Sequence, residues 1–495
     1  MKDLWRAIAM VLVAVIAIVV LETARSGVTF TNTVVGQTPV TTLAKADADG
    51  PHVVVAHGFA GSREMMQGYG LVLAQAGYRV HMFDFEGHGA HSVPMSGDVT
   101  RIEGTTQRLM DQTIAVVEAF ADDQPVALLG HSMATDVLIR VAAERLTGPL
   151  VLLSAFSQAV SEDVPENMLL ISGQWEPHLR EFGVETLRMI DPQAKEGDTV
   201  RASGVVRSAI YAPWTEHVAI LHSRVGRAAA LEWLNDFYDR SATAAVPPTG
   251  WAFLALMASI TALSLPLARL LMRSEELPDP PDLPTWKVAV WKVAVVLVVP
   301  MLLAPGLAQL IDIDVLPVLV ADYLAVHLGL YGLCTLVLFP ILSVKTPYGR
   351  LRPLALVALV AWGIGVFGFA LDRYGANFFP ISERVPIIAA LVPGAVLFMI
   401  ADSVVVWRAS VWRRIASRAA FLASLGIAVA LDFEGLFFLI IIAPVILLFF
   451  FVHGTMGRAI GKRAGPLTAG LGLGIILAWA LGVSFPMFAA AGGGS

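Results

Sequence analysis

The chain has 495 residues, a formal net charge of −6, 56% hydrophobic and only 15% charged residues, and a mean hydropathy of +0.69. Soluble chains carry about 25% charged residues. The composition therefore excludes a disordered protein, a nucleic-acid binder and a purely soluble enzyme, and it points to a membrane protein with room for about three domain-sized units.

The first element is an apolar run from Leu4 to Leu21, flanked by Lys2 and Arg6 before it and Glu22 after it. It is long enough to span a bilayer. With no A-x-A cleavage pattern after Leu21, it reads as an uncleaved signal anchor rather than a cleaved signal peptide. The net charge then divides along the chain. Residues 23–250 hold 16 Lys+Arg and 26 Asp+Glu, whereas the remainder holds 18 and 14. An acidic, soluble-looking segment is thus set in a basic, apolar frame, and its sign argues against a nucleic-acid surface. The single cysteine, Cys334, excludes an intramolecular disulfide.

Within residues 23–245 the pattern alternates strand and helix. Val28–Val35 and Val40–Ala44 predict a hairpin about Gly36-Gln37-Thr38-Pro39. His52–Ala56 predicts a strand, Met65–Ala76 a helix stopped at Gly77, and Tyr78–Phe83 a strand. Thr105–Phe120 predicts a helix, Val126–Leu129 a strand and Met133–Leu146 a helix. Strands follow at Leu150–Leu153 and Met168–Ile171, then a helix over Leu179–Ile190, a strand over Val205–Tyr211 and a closing helix over Val218–Tyr238. Such alternation means a mostly parallel sheet flanked by helices, with reactive groups at the carboxyl ends of the strands.

Five strand ends carry candidate chemistry. Gly130-His131-Ser132-Met133-Ala134 is a G-x-S-x-G string with Ala in the last place, between a strand and a helix. Such a sharp turn exposes a serine hydroxyl and demands small neighbours; Ser132 could otherwise be a helix N-cap. His57-Gly58-Phe59-Ala60-Gly61-Ser62 follows one strand, and Asp84-Phe85-Glu86-Gly87-His88-Gly89-Ala90-His91-Ser92 follows the next. Gly173-Gln174-Trp175-Glu176-Pro177 and Pro213-Trp214-Thr215-Glu216-His217 follow the last two.

Together, over roughly residues 27–240, these motifs resemble the α/β-hydrolase superfamily. The resemblance implies an oxyanion-hole loop at His57 and Gly58, a D-x-x-G-x-G-x-S turn at Asp84, Gly87 and Gly89, and an elbow at Gly130, His131, Ser132 and Ala134. It implies Ser132 as nucleophile, His217 as base and Glu176, in place of the usual Asp, as the orienting acid, with backbone amides of Phe59 and Met133 holding the oxyanion. Asp191 and Asp198 remain alternatives to Glu176, and His222 to His217. His57, His88, His91 and His131 crowd one edge, but they read as loop-shaping residues; no H-E-x-x-H string occurs, and neither metal nor cofactor is expected. Only about thirteen residues, Ala155–Asn167, join the sixth and seventh predicted strands, so no lid is expected.

Eight further spans are predicted at about 250–271, 288–311, 315–343, 353–371, 385–407, 415–431, 435–453 and 466–488. Of the 18 basic residues outside the acidic segment, 16 fall on alternate loops, including Arg408, Arg413, Arg414, Arg418, Arg458, Lys462 and Arg463. The amino terminus is then cytoplasmic, and residues 23–249 and the carboxyl end are extracytoplasmic. A tandem Trp-Lys-Val-Ala-Val at 286–295 reads as interfacial anchoring, and residues 489–495 as a linker-like tail. Asp322 and His327 lie inside a span and are functional candidates; on a regular helix they point about 140° apart, so each needs its own partner. Asp402, one and a half turns from Arg408 near the cytoplasmic end, is expected to snorkel or pair there, and Gly470-x-x-x-Gly474 fits close helix packing.

The expectation is therefore an α/β-hydrolase domain plus an all-α transmembrane domain of about nine spans in total. It would be a multi-pass serine hydrolase acting on a small-molecule or lipid acyl substrate, in contact with membrane lipids and not with nucleic acid. Acyl transfer from the same acyl-enzyme, or an idle hydrolase-fold sensor for a transport-like membrane domain, are the rival readings.

Overall fold

Runs such as His52-Val-Val-Val-Ala56 and Leu150-Val-Leu-Leu153 have no polar alternation, as strands buried on both faces require. The computed structural model, which describes residues 1–98, 102–272, 289–311, 313 and 315–489, makes them strands buried along their whole length. The chain divides into two units. One comprises Met1–Val15, Ala255–Ala370 and Phe378–Phe485; the other comprises Ile16–Leu254, Leu371–Asn377 and Pro486–Ser495. Helix α1 (Lys2–Arg25) begins in the first and ends in the second.

The second unit is built on nine strands: β1 (Val28–Val35), β2 (Thr38–Lys45), β3 (His52–Ala56), β4 (Arg79–Phe83), β5 (Ala127–His131), β6 (Leu150–Leu153), β7 (Asn167–Gly173), β8 (Thr199–Ala202) and β9 (Val205–Ala212). Their order is β1-β2-β4-β3-β5-β6-β7-β9-β8. The six from β4 to β9 pair in parallel, and the β1–β2 hairpin and β8 add antiparallel edges. Helices α2 (Gln67–Gln75), α3 (Gln107–Ala119), α4 (Met133–Glu144), α5 (Pro177–Arg188) and α6 (Arg224–Tyr238) complete the layers. Val53, Val55, Leu129, Val151, Leu153 and Ile171 fill one core with Leu73 and Leu234.

Several boundaries differ from the sequence expectation. The hairpin turn is Gly36-Gln37 alone, and Thr38 and Pro39 already pair in β2. The helix expected from Met65 is a 3₁₀ turn over Arg63–Met66 followed by α2. The closing helix is broken: a 3₁₀ turn over Ala219–His222 ends at Ser223, whose side chain accepts from the Gly226 amide at 3.1 Å and starts α6. Strand β8 was not expected. No helix or strand lies between β6 and β7.

Two distant pieces of chain complete this unit. In Leu371–Asn377, Arg373 pairs with Glu22 at 2.7 Å, and the Asn377 amide donates to Ser62 Oγ at 3.0 Å. At the carboxyl end, Met95 N donates to Met487 O at 2.8 Å, Met487 N to Gly87 O at 2.9 Å and Ala489 N to Met95 O at 2.7 Å. The start of the supposed tail is therefore paired backbone; residues 490–495 lie outside the described residues. Gly87 has φ +74°, and a Cβ there would collide with the Met487 carbonyl.

The first unit is helical: α7 (Thr249–Leu271), α8 (Val290–Gln309), α9 (Ala321–Ile341), α10 (Pro353–Val360) and α11 (Phe367–Tyr374) joined through a π turn, α12 (Val385–Val405), α13 (Val411–Leu431), the short α14 (Phe433–Leu436), α15 (Phe438–Ala464) and α16 (Pro466–Ser484). With α1, and with α10 and α11 counted as one, nine helices among the described residues are long and apolar enough to cross a membrane. Gly470 and Gly474 set α16 against α12, where a Cβ would fall 2.5 Å from Ile400 Cα and Val396 Cα respectively, the close approach small residues permit. Helix α15 runs eleven residues past the expected end, so Arg458, Lys462 and Arg463 are helical rather than in a loop. Of the tandem repeat, residues 286–288 lie outside the described residues, and Lys292 Nζ donates to Leu342 O at 2.6 Å.

Candidate active site

Strand β5 enters α4 through Ser132, whose φ of 55° and ψ of −119° are uncommon for a residue with a side chain. The turn is held by Ser132 N donating to Leu153 O at 2.9 Å, and by the amide and hydroxyl of Thr135 donating to Ser132 O at 2.8 and 2.7 Å. A Cβ at Gly130 would meet Leu138 Cδ1 at 2.6 Å and Ala134 Cβ at 3.2 Å. Ala134 is fully buried. Its methyl is what the crowded turn admits in the place usually held by glycine. The Ser132 side chain makes no helix cap.

The β7 and β9 ends are laced together. Trp214 N donates to Gln174 Oε1 at 2.8 Å, Trp175 N to Thr215 O at 3.2 Å and Thr215 Oγ1 to Ala212 O at 2.8 Å. This lacing brings three of the expected residues into line. Ser132 Oγ lies 2.8 Å from His217 Nε2, and His217 Nδ1 lies 2.6 Å from Glu176 Oε1. The other Glu176 oxygen accepts from Gly173 N at 2.6 Å and Ser154 Oγ at 2.7 Å. Burial raises the Glu176 carboxyl, but the hydrogen bonds from His217, Ser154 and Gly173 outweigh it and hold it below the usual range. An ionised Glu176 fixes the proton on His217 Nδ1 and leaves Nε2 to accept from Ser132. The His217 side chain is 45% exposed, so water reaches it.

The alternatives sit elsewhere. Asp191 and Asp198 accept from the Gln193 and Lys195 amides in their own turns. His222 is half-buried and stacks on Phe253, with its imidazole pushed down to about 4 by desolvation. Ser154, at the end of β6 with φ 51°, was missed; the only sequence signal for it was its place one residue past a strand.

The surrounding histidines shape the loops. His57 Nδ1 donates to Gly58 O at 2.8 Å while its Nε2 accepts from Phe85 N at 3.1 Å. His131 Nε2 donates to His217 O at 2.7 Å, and burial, with His217 adjacent, pushes His131 down to about 4, so it is neutral. His88 Nδ1 donates to Glu86 O at 2.8 Å, and His91 Nδ1 accepts from Val93 N at 3.1 Å. Gly58 packs on the elbow; a Cβ there would lie 2.9 Å from both Ser132 Cβ and His131 Nδ1. The Phe59 amide follows directly, and the Met133 amide opens α4, where the first N–H groups have no intrahelical acceptor. Asp84 is wholly buried and accepts from Arg63 N, Arg63 Nη1 and Ala90 N at 2.8, 2.5 and 2.9 Å. It ties two loops together.

The intramembrane candidates have separate partners. Asp322 accepts from the Val315 and Leu316 amides at 3.2 and 2.8 Å, and buried His327 lies 3.1 Å from Ser424 Oγ on α13. Asp402 is buried and meets Ser417 at 3.2 Å and Arg418 at 3.8 Å.

Residues 49–214 match the family described as "Serine aminopeptidase, S33". The match spans Ser132 and Glu176 and ends just before His217. No curated protein matches the sequence. Among solved structures, the chain is similar to a dienelactone hydrolase from Anabaena variabilis (16% identity, 42% of this chain, 97% of that one, TM-score 0.32). It is also similar to a predicted CIB-like hydrolase from Thermoplasma acidophilum (12%, 42%, 98%, TM-score 0.33) and to a serine hydrolase involved in carbazole degradation (17%, 42%, 99%, TM-score 0.32). At these TM-scores the likenesses say nothing of activity. The sheet order and the family match agree: the second unit has the α/β-hydrolase fold, and within it residues 49–214 match a serine hydrolase family.

Proposed function

We propose that the protein is a membrane-embedded hydrolase that cleaves an ester or thioester of a lipid or acylated envelope compound, with Ser132, His217 and Glu176 as its triad. The hydrogen-bonded line from Ser132 Oγ through His217 to Glu176, at 2.8 and 2.6 Å, carries this reading. Ser132 Oγ attacks the carbonyl carbon while His217 Nε2 takes its proton. The tetrahedral oxyanion is held by the Phe59 and Met133 amides, and collapse expels the alcohol or thiol, which leaves with the proton from His217. Water, deprotonated by His217, then attacks the acyl-Ser132 ester and releases the carboxylic acid. The exposure of His217 favours water over a second alcohol or amine as acceptor. Exposed Phe156, Trp175 and Trp214 on the loops beside these residues offer an apolar collar for an acyl chain.

In this proposal the hydrolase unit faces the extracytoplasmic side. Nine crossings would leave residues 23–249, the link after α11 and the segment after α16 on one side, and the hydrolase unit is assembled from those three stretches, which supports this reading. The basic loops alternate to the other side, as cytoplasmic loops do.

A fluorescent fluorophosphonate applied to membranes tests the nucleophile: it labels the wild type and not Ser132→Ala. Labelling that persists in Ser132→Ala, or a folded wild type that never reacts, overturns the assignment. Turnover of p-nitrophenyl esters of rising chain length, set against an aminoacyl anilide, then separates acyl esters from the amide substrates that the matched family's description implies.

A further inference from the structure

Helices α13 and α15 and the link before α13 gather positive charge at one end of the helical unit. A cavity of about 290 Å³ lies there, lined by Arg408, Arg414, Arg418, Arg458 and Lys462 against a single carboxylate, Asp402. A buried water needs about 10–15 Å³, so the space admits a far larger group. Its wall on α15 is glycine: Gly454, Gly457 and Gly461, at helical spacing, share one face. A Cβ at Gly454 would lie 3.2 Å from Arg418 Nη2. The missing side chains make the room into which the arginine reaches.

The charge inside is not balanced. Among the described residues no carboxylate pairs with Arg408, Arg414, Arg458 or Lys462, and Asp402, which also accepts from Ser417 at 3.2 Å, meets Arg418 loosely at 3.8 Å. The Arg418 side chain is 16% exposed and its guanidinium stacks on Phe450 at 4.6 Å, yet its buried Nε has no hydrogen-bond partner. Trp407, 5% exposed, lines the same cavity, and its Nε1 is likewise unpartnered. Buried donors without acceptors are rare in folded proteins. Snorkelling to water accounts for the exposed Arg408 and Lys462. It does not account for Arg418 or Trp407.

We propose that this cavity binds a phosphate-bearing anion, with Arg418 and Trp407 as its inner donors and Arg414, Arg458 and Lys462 completing the charge. Several guanidinium groups around one opening suit a phosphate, whose oxygens accept forked, charge-assisted hydrogen bonds. The phosphate belongs either to the headgroup of an anionic lipid entering between helices or to a free phosphate ester.

Purified, delipidated full-length protein is titrated with phosphatidylglycerol, phosphatidylcholine or glycerol 3-phosphate, and binding is read by native mass spectrometry. Saturable binding of phosphatidylglycerol over phosphatidylcholine identifies the lipid source; binding of glycerol 3-phosphate alone identifies the free ester. In either case Arg418→Gln and Arg458→Gln weaken binding about tenfold or more, the worth of one charge-assisted hydrogen bond. Arg463→Gln, an equal charge loss outside the cavity lining, leaves it within about twofold. Arg458→Gln, on α15 rather than α13, serves if Arg418→Gln does not fold. Binding of neither probe, equal binding of phosphatidylcholine, or equal losses in all three variants overturns the proposal.

Discussion

Replacing Glu176 with Gln tests the hydrogen-bond logic of the triad, because the carboxylate accepts from three donors and an amide cannot. If the amide oxygen takes the position facing Gly173 N and Ser154 Oγ, its NH₂ faces His217 Nδ1. That nitrogen must then accept, the ring proton moves to Nε2, and Nε2 can no longer take the proton of Ser132. If the amide flips, its NH₂ opposes the Gly173 N–H across a site now spanned by 2.6 Å. The Ser154 hydroxyl can rotate to accept; the backbone N–H cannot. A buried, unmade donor costs about 1–3 kcal/mol, so the competent orientation is held by about one molecule in ten to one in a hundred. Loss of the charge that stabilises the imidazolium comes on top. Together these give a fall of about 10⁴ in kcat, the size seen when a triad acid becomes an amide. Ser154→Ala removes one donor and keeps the tautomer, so its loss is about tenfold. The assay is the fluorophosphonate labelling rate alongside ester turnover, with melting temperature as the folding control. A Glu176→Gln enzyme within about tenfold of wild type would refute the reasoning.

Three further outcomes are expected. Gly58→Ala pushes a methyl to 2.9 Å from Ser132 Cβ; displacing the elbow by a fraction of an ångström should lower kcat about 10²-fold with little change in melting temperature, and unchanged turnover would disprove the contact's role. Gly87→Ala combines a positive φ, worth about 1–2 kcal/mol, with a collision at the Met487 carbonyl; it should lower the melting temperature and open the carboxyl-terminal segment to protease, whereas an unchanged digestion pattern would mean that segment is not docked there in solution. Glu64, 17% exposed, is pushed up to about 7 by burial and by neighbouring Asp84. Folded protein then keeps a proton the unfolded chain has released, so stability from this group is full below about pH 4.5 and falls by up to about 3 kcal/mol as pH rises through 7. Glu64→Gln should flatten that decline in a pH series of melting curves; an identical slope in the variant would show that Glu64 is not its source.

The central strands were legible because β3, β5 and β6 are buried on both faces and each carries a continuous apolar run, Val53–Ala56, Ala127–Leu129 and Leu150–Leu153. Strand β8 was not, since Thr199-Val-Arg-Ala202 is an exposed edge with little apolar content; the Ser203-Gly204 turn that pairs it with β9, with φ of 51° and 90°, was its only local mark. Ser132, Glu176 and His217 could be placed because each follows a strand at the same sheet edge. Ser154 has no motif, and its role exists only once β6 lies beside β7. Hydropathy located the apolar stretches of the membrane helices but not their ends: α15 continues through Arg458 to Ala464 until Gly465, at φ +89°, and Pro466 stop it. The docking of Met487 beside Gly87 joins residues 400 positions apart, and no local pattern encodes it.

That docking orders events during synthesis. A ribosome releases the elbow, the base and the acid long before the final helix, but the Gly87–Met95 loop gains its backbone partner only when residues 486–489 emerge. The hydrolase unit is therefore finished last, after all the helices between have been made. A chain stalled or clipped before Phe485 would hold every residue of the triad and still leave that loop unpaired. Insertion through α16 is in this sense a checkpoint on the hydrolase unit, written into where residues 486–489 go.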